Sequence, residues 1–370
     1  MRRWSTLVFA AAMAELLVIS AALGQTAGEK SAQIIPAPVL HHIHVNSANP
    51  DRSLEWYSRY WLAGKRTRYA GFPAFSDGQG FYLLYTKVAK QAPGGFDRLA
   101  QRSVPQSAFW TFGSTFQDIR AMRTRIKAFD PKQFELVTLY GGPDGEQTAT
   151  DSRDLSAGGQ LMTTTEIRQQ AEQPKSPAAP AGGGFGYLVD PDGMLVELIA
   201  GRTDDFKAHT HLFSEQPLCA ANWHVEHLGA RAGQPTITST RFTAGSTLVD
   251  GRWDPCDLPL GERTYPTYMK QGQLRIPAGT AVADNLEWLW YPRQCQAGRC
   301  GPGNDRRLVR SRGQVVDHVG LAYPDLDILM AHLRARNVPI LRGPYGFGDT
   351  RAILVEDLDG LAFELIEVKR

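Results

Sequence analysis

Two motifs lie far apart in this chain, and each occurs twice at the same spacing. That duplication limits the fold before any local reading. The segment HHIHVNSANPDRSLEWY aligns with AHTHLFSEQPLCAANWH, placing His42 on His209, His44 on His211, Ser47 on Ser214, Pro50 on Pro217 and Trp56 on Trp223. The segment DPDGMLVELI aligns with DLDGLAFELI, placing Asp190 on Asp357, Asp192 on Asp359, Gly193 on Gly360 and Glu197 on Glu364. Every pair is separated by 167 positions, as from His42 to His209. Two distant motifs with one offset mean a duplicated half, with halves at 36–203 and 204–370.

Each half repeats again, more weakly. Asp317-His318-Val319-Gly320-Leu321 reads as a strand, Pro324-Asp325 opens a helix, and Leu326, Leu329, Met330 and Leu333 fall on one helical face. Trp110-Thr111-Phe112-Gly113 has the same plan, with Asp118 as helix N-cap and Ile119, Met122 and Ile126 as the apolar stripe. Pro50 and Pro217 stand where proline is favoured, in the first turn of a helix. Short alternating runs follow: GFYLLYTKV, FELVTLYGG, GFGYLV, LEWLWYP and AILVEDLDG. Alternation with period two reads as strands. The predicted unit is strand, helix and about three strands, four times over. Residues 170–184 read as a flexible loop inside the second unit.

Residues 1–24 carry Arg2 and Arg3, an apolar stretch and then Ala21, Ala22 and Gly24. This is the layout of a secretory signal, with cleavage after Gly24 and a periplasmic or secreted mature protein. An uncleaved anchor helix is the competing reading. The cysteines are Cys219, Cys256, Cys295 and Cys300, an even number suited to an oxidising compartment. The simplest pairing is Cys295 with Cys300 and Cys219 with Cys256; the alternative is a zinc site. A net charge of +2 leaves no electrostatic footprint for nucleic acid or an anionic membrane. No later apolar run approaches the ~20 residues of a membrane span. The expected partner is a small molecule, and nothing in the sequence speaks to oligomeric state.

The His-Val-Gly-Leu strand, the helix after it and the closing Asp-x-Asp-Gly-x-x-x-Glu-Leu resemble the vicinal oxygen chelate superfamily, which includes glyoxalases, bleomycin-resistance proteins and extradiol dioxygenases. The resemblance implies an α+β fold of four βαβββ modules paired into two cupped-sheet domains. It also implies metal ligands on the first strand of each module and on a closing strand. Carried over by position, the C-terminal half offers His209, His318 and Glu364, a complete set for a divalent ion (Fe, Mn, Zn or Ni). The N-terminal half offers His42 and Glu197, with Thr111 in the third place, and is expected to be vestigial. His211 and His44 share the face of His209 and His42. They are alternative ligands or partners that orient one. Glu287 is a candidate fourth ligand or, with Glu364, a catalytic carboxylate. The Asp-x-Asp-Gly elements are read as turns that aim the closing strand, with glycine at positive φ.

The implied activity is an exported metal-dependent enzyme acting on a small oxygen-bearing, chelating substrate. Glyoxalase-like lyase or isomerase chemistry is the leading reading. Extradiol ring cleavage is the second. Its ending, Tyr187, Asp190, Pro191, Gly193 and Glu197, falls in the half lacking the second histidine, while Leu354 and Leu358 replace tyrosine and proline in the other. A non-catalytic small-molecule-binding protein is the third.

Overall fold

The computed structural model describes residues 35–97, 102–130, 185–200, 204–232, 246–257, 271–277, 283–290 and 307–368. The expected signal segment, the 170–184 loop, the FELVTLYGG strand and the Cys295–Cys300 pair lie outside these residues. Residues Ile35–Arg370 form one compact unit.

Four strand–helix–strand units follow one another. The first has β1 (Val39–Ser47), α1 (Pro50–Tyr60), β2 (Lys65–Tyr69), β3 (Phe72–Ser76) and β4 (Tyr82–Lys87); short β5 (Phe96–Asp97) and β6 (Arg102–Ser103) follow it. The second has β7 (Phe109–Phe116), α2 (Ile119–Phe129), β8 (Phe185–Val189) and β9 (Leu195–Ala200). The third has β10 (Asp205–Ser214), α3 (Pro217–Leu228), β11 (Arg231–Ala232), β12 (Thr247–Val249), β13 (Arg252–Asp254), β14 (Gln271–Pro277) and β15 (Ala283–Trp290). The fourth has β16 (Val316–Tyr323), α4 (Leu326–Ala335), β17 (Arg342–Phe347), β18 (Thr350–Glu356) and β19 (Ala362–Glu367). Among these helices no stretch is long and apolar enough to cross a membrane.

The helix signals act as the sequence indicates. Asp118 accepts from the Ala121 amide at the start of α2, and Asp325 accepts from the Ile328 amide at the start of α4. Proline opens α1 and α3, where its missing N–H is not needed. Cys219, in α3, is bonded to Cys256 as expected.

The sheets do not follow the sequence halves. An eight-stranded mixed sheet runs β17-β18-β19-β16-β1-β4-β3-β2, and a seven-stranded sheet runs β11-β14-β15-β10-β7-β9-β8. The first, a curled sheet, joins unit one to unit four; the second joins unit two to unit three. Strand pairing therefore crosses the boundary between the expected halves 36–203 and 204–370. In each sheet the first strands of two units lie antiparallel at the centre: β1 on β16 and β10 on β7.

Units within one half meet through the acidic turns instead. Asp190 Oδ1 accepts from the Asp192 and Met194 amides at 2.9 and 2.8 Å, and its Oδ2 accepts from Tyr57 Oη at 3.0 Å. Asp192 takes Ser47 Oγ at 2.7 Å and Ser53 Oγ at 2.5 Å. The turn of unit two thus docks on β1 and α1 of unit one. Unit four repeats this on unit three: Asp357 holds the Asp359 and Leu361 amides, and His224 Nε2 lies 3.3 Å from its Oδ2. His224 occupies the position of Tyr57 in the repeat. Gly193 and Gly360 have φ of 95° and 78°, as the turn reading requires.

One core spans all four units. Ile43, Val45, Leu83, Tyr85, Val319, Leu321, Ile353, Phe363 and Leu365 send the eight-stranded sheet's contribution into it. The alternate residues, Ala74, Leu84, Ala322, Phe347, Ala352 and Ile366, build a second apolar layer on the opposite face. Period-two alternation therefore places His42, His44, His318 and Glu364 on that opposite face, away from the helices.

Candidate metal centres

The first cluster forms where β1, β16 and β19 run side by side. His44 is in register with His318, and His42 with Gly320. Gly320 is in turn in register with Glu364. A Cβ on Gly320 would lie 2.0 Å from His42 Cε1. Glycine leaves the space through which the His42 ring crosses β16 toward the carboxylate. His42 Nε2 lies 3.2 Å from Glu364 Oε2, and His318 Nε2 lies 3.7 Å from the same oxygen.

Each imidazole is anchored at its outer nitrogen. His318 Nδ1 pairs with Asp317 Oδ1 at 2.7 Å, His44 Nε2 with Thr86 Oγ1 at 2.8 Å and His42 Nδ1 with His41 Nδ1 at 2.9 Å. Phe347 stacks on His42 at 5.7 Å and Phe72 meets His44 edge-on at 4.8 Å. The inner atoms, His42 Nε2, His44 Nδ1, His318 Nε2 and Glu364 Oε2, are buried without an aligned hydrogen-bond partner. Leaving one such atom unsatisfied costs about 1–3 kcal/mol. A divalent cation would satisfy the three imidazole nitrogens, which lie within 4.8 Å of one another, with Glu364 beside them, and outer partners that fix ring orientation are the usual support of histidine ligands.

The protonation pattern has the same cause. Burial lowers His42 despite Glu364, and burial, with His318 and His42 beside it, lowers His44 well below the ordinary range. Burial also opposes charge on His318, but Asp317 and then Glu364 outweigh it and lift it to about 9. Burial works against ionised Glu364 too, yet His318 and His42 hold its carboxyl well below the usual range. An ionised carboxylate and neutral imidazoles are the forms that bind metal, so His318 would release its proton as an ion enters.

The second cluster is built on the same frame in the other sheet. His209 is in register with Gly113, and Gly113 with Glu197. A Cβ on Gly113 would lie 2.2 Å from His209 Cε1. Thr111 sits opposite His211, where His318 sits opposite His44. Its hydroxyl donates to the Leu195 carbonyl at 2.7 Å and offers nothing to the cluster. Glu197 Oε2 takes His209 Nε2 at 2.7 Å and lies 3.2 Å from His211 Nδ1. Burial opposes this charge, but His211 and His209 bring Glu197 down to about 2. Trp110 stacks on His211 at 5.6 Å.

The structure therefore divides the ligand set expected from the sequence. His318 and Glu364 stand together, but their histidine partners are His42 and His44 of the opposite half. His209 stands with Glu197 and His211. The assignment by halves fails because the ligand strands pair across halves. Glu287 stands in β15 at the register position of His211, in the sheet away from Glu364. The His-x-His spacing on β1 was the signal for the missed ligands, and it needed only the right partner strand. Both clusters are groups whose ligand atoms can hold a divalent ion: His42, His44 and His318, with Glu364 beside them, and Glu197, His209 and His211. A cavity of about 420 Å³ beside α1 is lined by Arg52, Trp56, Tyr60 and Asp190 and touches neither cluster.

No protein-family profile and no curated protein matches this sequence. Solved structures do. Glyoxalase I from Zea mays matches with a TM-score of 0.52 at 13% identity, covering 90% of this chain and 92% of that one. A variant of the Zea mays enzyme in another crystal form matches with a TM-score of 0.50 at 13% identity, covering 90% of this chain and 94% of that one. At such identity the likeness concerns the path of the chain. It shows a shared fold alone, and on that fold this chain carries two clusters of ligand-type residues at repeated strand positions.

Proposed function

We propose that this chain is a metal-dependent enzyme whose active centre is the first cluster, with His42, His318 and Glu364 as ligands and His44 beside them. The observation that carries this is the convergence of three buried imidazole nitrogens within 4.8 Å of one another, with Glu364 Oε2 beside two of them. The proposed substrate is small and presents oxygens that chelate the ion. Lyase or isomerase chemistry of the glyoxalase kind is the leading reading. The ion supplies Lewis acidity toward the substrate oxygens when bound. The protein's part is to fix three rings through Asp317, Thr86 and His41, and to exclude water with Phe72 and Phe347. Glu364, held fully ionised, is better suited to ligation than to accepting a proton. Of the two roles open to Glu364, ligand and catalytic carboxylate, the ligand role is proposed, and Glu287 stands in the other sheet.

Ring cleavage of a catechol is the second reading, favoured by two histidines and one carboxylate around open positions. In both readings each sheet forms a cup around its cluster. Export remains part of the proposal, supported by the Cys219–Cys256 bridge, since such bonds persist in oxidising compartments. Metal analysis of protein purified without added metal tests the reading. One tightly held ion, lost in His42→Ala and in His318→Ala, is the expected result. Metal-free protein that also rejects added divalent ions would overturn it. Oxygen uptake with catechols then separates the two chemistries.

A further inference from the structure

Glu364 has two oxygens in different surroundings. Oε2 faces His42 and His318, while Oε1 accepts a hydrogen bond from the Tyr345 hydroxyl. Tyr345 belongs to β17, the outermost strand of the eight-stranded sheet. It is half-buried, whereas the four cluster residues are buried.

The strand is shaped to deliver this residue. Pairing of β17 with β18 breaks register between Arg342 and Tyr345. Such bulges re-aim a side chain beside a functional site. Gly343, inside the bulge, has φ of 113°, and a Cβ there would lie 2.8 Å from the Ala352 carbonyl oxygen. Glycine suits that backbone, since other residues rarely adopt positive φ. Beyond the bulge, Tyr345 and Phe347 share a face. One gives its hydroxyl to Glu364 and the other stacks its ring on His42. The Arg342 guanidinium lies 4.4 Å from the Tyr345 ring centroid and adds a cation–π contact at the exposed end.

We propose that Tyr345 is a positioning residue of the metal centre, occupying Glu364 Oε1 so that the carboxylate offers a single oxygen to the ion. This rests on the reading of the first cluster as a metal site. The second cluster likewise turns one carboxylate oxygen, Glu197 Oε2, to both of its histidines.

The test uses Co(II) alone, added to the full chain carrying His209→Ala so that the first cluster is observed by itself. Visible absorption reports the number of donors around the ion. Tyr345→Phe keeps the ring and removes only the hydroxyl. It is expected to bind one Co(II) with an absorption band weaker by roughly half, because Oε1 is released to join the coordination. Tyr82→Phe, a tyrosine of the same apolar layer with no bond to Glu364, is expected to leave the spectrum as in the parent. A Tyr345→Phe spectrum identical to the parent, with Co(II) bound, overturns the positioning role while sparing the metal site. A parent protein that binds no Co(II) overturns the metal site itself, and the positioning role with it.

Discussion

The two His–Glu clusters share one strand frame and differ in one ligand. In both, a His-x-His strand lies against a partner whose glycine admits the first imidazole to a closing glutamate. The first cluster adds His318 where the second has Thr111. With His318 present, three imidazole nitrogens gather within 4.8 Å of one another, and Glu364 Oε2 lies 3.2 and 3.7 Å from those of His42 and His318. In the second cluster the carboxylate is engaged by its own histidines, at 2.7 and 3.2 Å. A metal entering there would displace the close His209–Glu197 bond of 2.7 Å, whereas the histidine contacts to Glu364 in the first cluster are longer, at 3.2 and 3.7 Å. A repeated fold can thus keep the geometry of a site while one side chain decides whether it stays open.

The largest effect expected from this comparison is on metal occupancy. His318→Ala should weaken binding by at least about 100-fold, beyond the 10–100-fold loss seen when supporting residues are removed. His209→Ala should leave the first bound equivalent unchanged. Equilibrium dialysis with metal quantification measures both, and two equivalents of equal affinity in the parent would break the comparison. Next, Gly320→Ala places a methyl within the His42 ring and should abolish tight binding, at a stability cost of about 1–3 kcal/mol. Gly113→Ala should cost similar stability and leave first-cluster binding intact. Denaturant unfolding with metal titration separates the two outcomes. The converse change, Thr111→His, supplies the missing imidazole opposite His211. It should add a second, weaker equivalent; a titration that still shows one tight equivalent would place the cause in Glu197 and its histidines.

The smallest effect concerns the acidic turns, which differ as the clusters do. In unit two, burial and the Asp192 charge raise Asp190 to about 8, and Tyr57 is the partner. In unit four it is Asp359 that burial and the Asp357 charge raise, to about 7, with Ser214 as its side-chain partner, while the histidine, His224, faces Asp357. A carboxyl raised in the folded state holds its proton there after the unfolded chain has lost it. Its contribution to stability is therefore present below the ordinary value of 3.8 and declines up to about pH 8 for Asp190. Asp190→Asn should remove that decline. Unfolding midpoints of parent and variant should converge or cross in favour of the variant as pH rises from about 4 to 8; parallel curves would refute the buried protonated carboxyl.

Much of this was legible in the residues. Asp118 and Asp325 announce helix starts because an aspartate before an apolar stripe satisfies free amides. Alternation in the strands around His42, His318 and Glu364 assigns their face because side chains alternate with period two. The Cys219–Cys256 pairing was also available. The structure separates the expected ligand set for one reason: His209 was grouped with His318 because both lie in one half, yet their strands stand in different sheets. Tyr345 carried no signal, since a tyrosine on an edge strand is common and only the bulge at Gly343 turns it to Glu364.

The sequence by itself determined four repeated units, their buried faces and the residue types at each ligand position, because these are local properties of pattern and turn chemistry. It could not choose the partners. First strands of all four units carry similar patterns, and hydrogen bonding along a strand is indifferent to which of them supplies the neighbour. The tertiary structure made that choice. The acidic turns of units two and four bury their carboxylates on Ser47, Ser53 and Tyr57 and on His224, joining units within a half. The strands then pair across halves, and that pairing brings His42 and His44 to His318 and Glu364.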